Sequence, residues 1–333
     1  GASPQPRRRA RAHTRARTRT RARARERPHG MALALCAGCT ALAPPWAAVS
    51  NAFGRSARAF FVDRAQSRGI HWSAMRVKWE SMSPELEECR LALEDEAVEL
   101  PDYFCQPFHG YGDGNLCWEA AYELEAATLC MSSSYWPQAT AAEAARRMRS
   151  SFCAHVQSYV DRTRSRQPKE LLDLGCGMGT STTSTVDSVA SLERAVGVDL
   201  SSRFLAIGRE AFKGRSDVEL RLGNAESTRL VEKFDLVTAC FLFHEMPASA
   251  ASRVLEEAHG RLRAGGVVAI LDLDQRRLSR MLGYRRLAFF ATEPHVREYI
   301  SSNVAGALGG AGFCDVECVQ NGDGTNVVWL ARR

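Results

Sequence analysis

The chain has 333 residues, 45% apolar and 25% charged, which is ordinary globular usage with a sizeable core available. Its net charge of +6 comes from one end: residues 1–30 hold eleven arginines and one acid, a local +10, so the remaining 303 carry −4. An acidic body argues against nucleic acid as a partner. Eleven cysteines without framework spacing argue against a disulfide scaffold and for a reducing compartment. Cys36-x-x-Cys39 has no second such pair, so no metal site is expected. Cys314 and Cys318, four apart on an expected strand, should share a buried face.

In chain order, "RARTRTRARARER" has no apolar face and cannot fold alone. Residues 1–30 are expected to be a disordered tail, or sequence upstream of a start at Met31. From Met31 an apolar run of signal-peptide length ends at Pro44-Pro45, with small Ser50 and Ala52 before Phe53. Arg55, Arg58, Arg64 and Arg68 follow, with Asp63 as the single acid before Glu80. Residues 31–74 so resemble the bipartite leaders of algae with complex plastids. They depart from that pattern in having no basic residue between Met31 and the apolar run. The resemblance implies plastid import and a mature chain beginning at Phe53. No stable membrane insertion is expected.

Residues 75–144 read as a helical cap, broken by the loop "ELPDYFCQPFHGYGDGN", with Asn115 capping the helix "LCWEAAYELEAATLCM". From residue 145 the pattern changes. Apolar runs at 171–174, 195–199, 217–222, 234–240, 266–272, 313–319 and 326–330 alternate with helical or loop segments, the rhythm of a mostly parallel sheet. Only "NGDGT" and its neighbours separate the last two, too short for a crossover, so they form an antiparallel hairpin.

The first strand ends in "DLGCGMGT", with Asp173 ahead of Gly175, Cys176, Gly177 and Gly179. Ligands of such sheets bind beyond the carboxyl ends of the strands. This spacing differs from the G-x-G-x-x-G of dinucleotide folds, which disfavours a nicotinamide-dependent oxidoreductase. Asp199 ends the next strand, where a carboxylate can accept both hydroxyls of a ribose. Asn224, Ala225 and Glu226 follow the third strand. By themselves Asp199 is also readable as a helix N-terminal charge and Glu226 as a helix cap.

In this order the motifs resemble the class I S-adenosylmethionine-dependent methyltransferases over residues 145–333. The resemblance implies a Rossmann-like α/β fold of seven strands, order 3-2-1-4-5-7-6, with strand 7 antiparallel. It implies S-adenosylmethionine as cofactor and a small-molecule acceptor. The Gly175–Gly179 loop would pass under the methionine part, Asp173 would lie near its ammonium, and Asp199 would hold the ribose. Leu200 would pack on the adenine, with Asn224 at its edge. A noncatalytic cofactor-binding protein on the same fold is the alternative.

The exit of the fourth strand, "FLFHEMP", commonly faces the methyl group in that class. His244 there is either a general base, with Glu245 beside it, or a hydrogen-bonding residue at the strand end. Residues 103–128, with His109, Tyr111 and Trp118, and 291–299, with Glu293 and His295, are similar to segments of cyanobacterial and plastid methyltransferases. That likeness implies a lid in which His109 and Tyr111 face a ligand while Trp118 packs on Tyr122. Glu293 and His295 would belong to a substrate cap.

Overall fold

The computed structural model describes residues 58–333 apart from 284–288 and 291. The Arg-rich tail and the apolar leader through residue 57 lie outside the described residues, and so do the expectations placed on them. Each apolar run of the C-terminal half becomes a strand: β1 Glu170–Leu174, β2 Arg194–Asp199, β3 Val218–Leu222, β4 Phe234–Cys240, β5 Leu262–Leu273, β6 Cys314–Gln320 and β7 Asn326–Arg332. Their order is β3-β2-β1-β4-β5-β7-β6, and β7 runs antiparallel to both neighbours. In β1 and β4 the residues are almost uniformly buried, Asp173 and Asp235 included, because helices cover both faces of a parallel sheet. The register sets Leu174 beside Val198 and Ala239, so β1, β2 and β4 end level at one edge.

One face is covered by α5 (Ala141–Arg162) and α6 (Thr180–Ser188). Here Met148, Phe152 and Val156 pack on Leu171, Leu236 and Leu271. The opposite face takes α8 (Ala248–Arg261) and the short helices α10 (Val296–Ser301) and α11 (Val304–Gly310), with Val254 and Leu255 against Val237 and Ile270. Over the edge beyond β2 and β3, α3 (Ser83–Leu93) and α4 (Trp118–Ser133) pack on α7 (Ser202–Ala211) through Leu86, Ala121, Phe204 and Leu205.

The helical region begins before residue 75. A helix over 58–67 and α2 (Trp72–Glu80) bury Ala65, Ile70 and Trp72 against Ala126 and Cys130 of α4. Residues 58–74, grouped with the leader on composition, thus contribute to the packing of the body. Among the described residues no helix is long and apolar enough to cross a membrane.

Three local expectations are corrected. The α4 cap is Cys117, whose sulfur accepts from Ala120 N, because Asn115 is already inside a 3-10 turn, Gly114–Leu116. No helix follows Glu226; the chain closes a tight bridge from Asn224 to Ser227 instead. Cys314 and Cys318 are exposed. They lie on the edge strand β6, and a register shift between Cys314 and Glu317, with Asp315 at φ 53°, breaks the alternation that would keep them on one face.

Candidate active site

At the end of β1 the backbone enters the left-handed region three times in five residues, with φ 69° at Gly175, 56° at Gly177 and 81° at Gly179. Only glycine takes such a path without steric cost. A Cβ at Gly175 would stand 2.6 Å from Leu242, and one at Gly179 3.0 Å from Leu220. Gly177 meets only Leu124, at 3.6 Å. Gly175 and Gly179 are therefore held by packing. At Gly177 the positive φ alone calls for glycine.

Asp199 fastens this loop to β2. One carboxylate oxygen accepts from Gly177 N at 2.8 Å and the other from Ser201 N at 2.8 Å. Burial raises its carboxyl above the ordinary aspartate value, against those backbone donors. The capping of α7 falls to Ser201, whose hydroxyl accepts from Phe204 N, so Asp199 is free of that duty. Asp173 lies below the loop, 1% exposed, accepting from the hydroxyls of Thr182 at 2.6 Å and Thr238 at 2.7 Å. Burial lifts it to about 6 even so. Cys176 is buried, its sulfur near the Cβ position of Gly197.

Beyond β3, Asn224 turns its side-chain oxygen onto Glu226 N at 2.9 Å, and Ala225 is buried. Half-buried Leu200 follows β2. Glu226 is spoken for: it accepts from Tyr103 Oη at 2.6 Å and from Arg253 Nε at 2.6 Å. That fixes the loop 94–117 to α8 and leaves Glu226 a bracing role.

The other half of the site forms where β4 leaves the sheet. Phe241 sits at φ 58°, a strained value for an aromatic residue, and the chain turns through a short 3-10 segment, Phe243–Glu245. His244, 6% exposed, faces Asp272 with Nδ1 2.7 Å from Oδ1. The other Asp272 oxygen accepts from the Phe243 and His244 amides at 2.9 and 3.3 Å. Burial disfavours the imidazolium, yet the Asp272 carboxylate outweighs it and pushes His244 up to about 9.

Glu245 and His109 complete the cluster. His109 Nε2 lies 3.2 Å from Glu293 and 3.5 Å from Glu245. His109 is itself at φ 52°, and its amide donates to Thr292 O. Burial pulls its imidazole down, but Glu293 and Glu245 together hold it above the ordinary value. Because that side chain is 36% exposed, solvent weakens the effect. Burial lifts Glu245 to about 7, against the pull of His109 and His244.

The structure thus gathers His244, Glu245, His109 and Glu293 from three chain segments. Tyr111, Trp118 and His295 make other contacts. The Tyr111 hydroxyl donates to Glu123 at 2.7 Å, and Glu123 is fully buried and paired with Arg58 and Arg76. Trp118 stacks on Tyr122 as expected and donates to Glu87 at 3.1 Å. His295 meets Tyr103 edge to face, and burial lowers it. Sequence reasoning missed Asp272. Its signal was its place in "LDLD" at the carboxyl end of β5, the edge where ligands of such sheets bind.

Residues 171–266 match the family model described as a methyltransferase domain. A demethylmenaquinone methyltransferase of Geobacillus stearothermophilus is 30% identical over 146 residues, covering 42% of this chain and 60% of that protein. One from Staphylococcus aureus (strain MRSA252) is 30% identical over 111 residues, covering 33% and 45%. The chain thus spans about half the length of the curated relatives it matches. A solved O-methyltransferase family protein from Burkholderia thailandensis has TM-score 0.42 and 20% identity over 60% of this chain and 62% of that one. Phosphoethanolamine N-methyltransferase 2 of Haemonchus contortus, in complex with S-adenosyl-L-methionine, has TM-score 0.39 and 18% identity over 50% and 38%. At such scores these two likenesses carry no weight beyond similarity.

Residues 171–266 thus match a methyltransferase domain, and the strand order and glycine loop around them are those expected from the resemblance to class I S-adenosylmethionine-dependent methyltransferases. S-adenosylmethionine is the cofactor of that class.

Proposed function

We propose that the chain transfers a methyl group from S-adenosylmethionine to a small-molecule acceptor, with His244 receiving the acceptor's proton. One observation supports this above the others: the two halves of the site touch. Leu242, two residues before His244, is the side chain that a Cβ at Gly175 would strike. The loop that takes the cofactor and the turn that carries the histidine are therefore one packed unit.

The residues fit the cofactor. Gly177 offers open backbone, Asp199 a carboxylate for the ribose, and Leu200, Asn224 and Ala225 an apolar and amide-lined place for the adenine. When bound, the sulfonium supplies an activated methyl group for in-line displacement. What remains for the protein is to orient the acceptor and manage its proton. Asp272 fixes His244 through Nδ1, which directs Nε2 to the acceptor, and the buried carboxylate stabilises the imidazolium that forms. His109, Glu293 and Glu245 hold the loop 94–117 against the segment after β5, closing the site from water. The leader adds a proposed plastid location, resting on its bipartite composition.

The test is His244→Gln, measured three ways on the full chain. Cofactor affinity and melting temperature should stay near wild type while turnover falls about 10²–10⁴-fold, the usual worth of a positioned base. Turnover is read by mass spectrometry as the gain of one methyl in a plastid metabolite extract. Full activity would remove His244 from the chemistry, and a parallel fall in affinity or melting would make it structural.

A further inference from the structure

Glu293 engages only half of its carboxylate. It lies in the segment between β5 and α10, 5% exposed, and its Oε1 faces His109 Nε2 at 3.2 Å. Its Oε2 is buried and has no hydrogen-bond partner. A carboxylate oxygen kept from water without a donor is costly, so it calls for a donor from outside the chain. The two oxygens share one carbon, so the unpartnered one stands beside the His109 contact. Glu245 is there too, 3.5 Å from the same imidazole nitrogen.

The charge around Glu293 selects that donor. Asp199, Glu245, Asp272 and Glu293 all act on this cluster, from the ends of β2, β4 and β5 and the segment beyond. Against them stand the imidazoles of His109 and His244, and among the described residues no lysine or arginine ion-pairs with any of the four. Even with both imidazoles charged, the carboxylates outnumber the cations two to one. Asp272 is matched by His244 and two backbone amides, and Asp199 by the amides of Gly177 and Ser201. The unmatched charge thus falls on Glu245 and Glu293. Burial lifts Glu245 to about 7 despite both imidazoles, the response of a carboxylate short of positive charge. Among the described residues no group of His, Cys, Asp and Glu is arranged to hold a metal ion, so the cation that fits is one that donates hydrogen bonds.

We propose that the methyl acceptor carries a protonated amine, which Glu293 Oε2 and Glu245 bind as its anchor. This rests on the methyl-transfer reading above and names the substrate class for it. An ammonium has several N–H donors and no lone pair, so it satisfies both carboxylates and cannot itself attack a methyl group. The methylated atom is therefore a second nucleophile of the same molecule, which gives its proton to His244 as it takes the methyl. An acceptor lacking the cation is rejected, because a buried carboxylate then stays unpaired.

The experiment splits a plastid metabolite extract on a cation exchanger at neutral pH. Retained and unretained fractions are each incubated with the full chain and S-adenosylmethionine bearing a trideuterated methyl. Mass spectrometry should find the label in a compound of the retained fraction. In Glu293→Gln, whose amide oxygen can still accept from His109, KM for that compound should rise about tenfold to a hundredfold, with kcat less affected. Affinity for S-adenosylhomocysteine, read by calorimetry, and melting temperature should stay near wild type. If that variant does not fold, Glu245→Gln serves, with the same rise in KM expected. Label confined to the unretained fraction, or an unchanged KM in the folded variant, overturns the proposal. Absence of label from both fractions would overturn the methyl-transfer reading itself, a distinguishable outcome.

Discussion

The glycine loop and the β4 exit lie side by side and are built on opposite plans. The loop is local. Its residues come from one stretch of seven, its shape is set by backbone dihedrals, and its main carboxylate, Asp199, is one strand away. The exit cluster is assembled from afar, with His244 on β4's turn, Asp272 on β5, His109 from the loop before α4 and Glu293 from the segment after β5. Each region also holds a titratable group moved upward, with opposite meaning. Asp173 is raised to about 6 because burial penalises its charge, whereas His244 is raised to about 9 because Asp272 favours its charge. Burial thus works against the charge in the loop, while a paired carboxylate favours it at the exit.

The largest test of that contrast is His244→Gln, described above, which should abolish chemistry and leave binding. Next comes Asp272→Asn. Losing the carboxylate lets the His244 imidazole fall toward its ordinary value near 6.5. In wild type, turnover should rise with pH toward about 9 as His244 becomes neutral. In Asp272→Asn that limb should move to lower pH, with a lower plateau because Nδ1 is no longer oriented. A pH–rate profile unchanged in position would break the pairing.

Asp199→Ala acts on the other region. It removes a partner of the ribose and of Gly177 N, so cofactor affinity should fall at least about tenfold while the fold remains. Calorimetry with S-adenosylhomocysteine decides it, and unchanged affinity would refute the role. Gly175→Ala is smaller and structural. A side chain at φ 69° costs roughly 1–2 kcal/mol, and its Cβ displaces Leu242. Melting temperature and turnover should both drop, because the displaced residue leads directly to His244.

The last effect is a gain. Asp173 binds its proton more tightly folded than unfolded, so the free protein is penalised above about pH 6 and recovers stability as pH falls toward 3.8. The penalty at pH 8 is on the order of 3 kcal/mol. Asp173→Asn, which can still bond Thr182 and Thr238, should raise the melting temperature at pH 8 and flatten that pH dependence. His244 has the reverse sign: its contribution is full below about 6.5 and is lost as pH rises through about 9.

How much of this was legible in sequence follows the same division. The seven strands and the terminal hairpin were readable, because a buried parallel strand must be apolar along its length and "NGDGT" is too short for a crossover. The glycine loop and Asp199 were readable for a related reason: their function depends on backbone shape and strand ends, which are written locally. Three things were not. Glu123 and Arg149 look like ordinary surface charges on helices, and nothing within α4 or α5 says that one is buried with Arg58 and Arg76 and the other with no partner. Tyr111 was placed near a ligand as part of an aromatic-rich loop and His295 as part of a substrate cap, and the sequence does not show the contacts they make with Glu123 and Tyr103. Asp272 needed the pairing of β4 with β5, which sets Cys240 beside Leu271 and so brings the next turn of one strand onto the last acid of the other. Sequence alone thus determined the sheet and the glycine loop, since period and turn chemistry act over a few residues. The His244–Asp272 pair was decided only by tertiary structure, because electrostatic partners are chosen by proximity in space and leave no period along the chain.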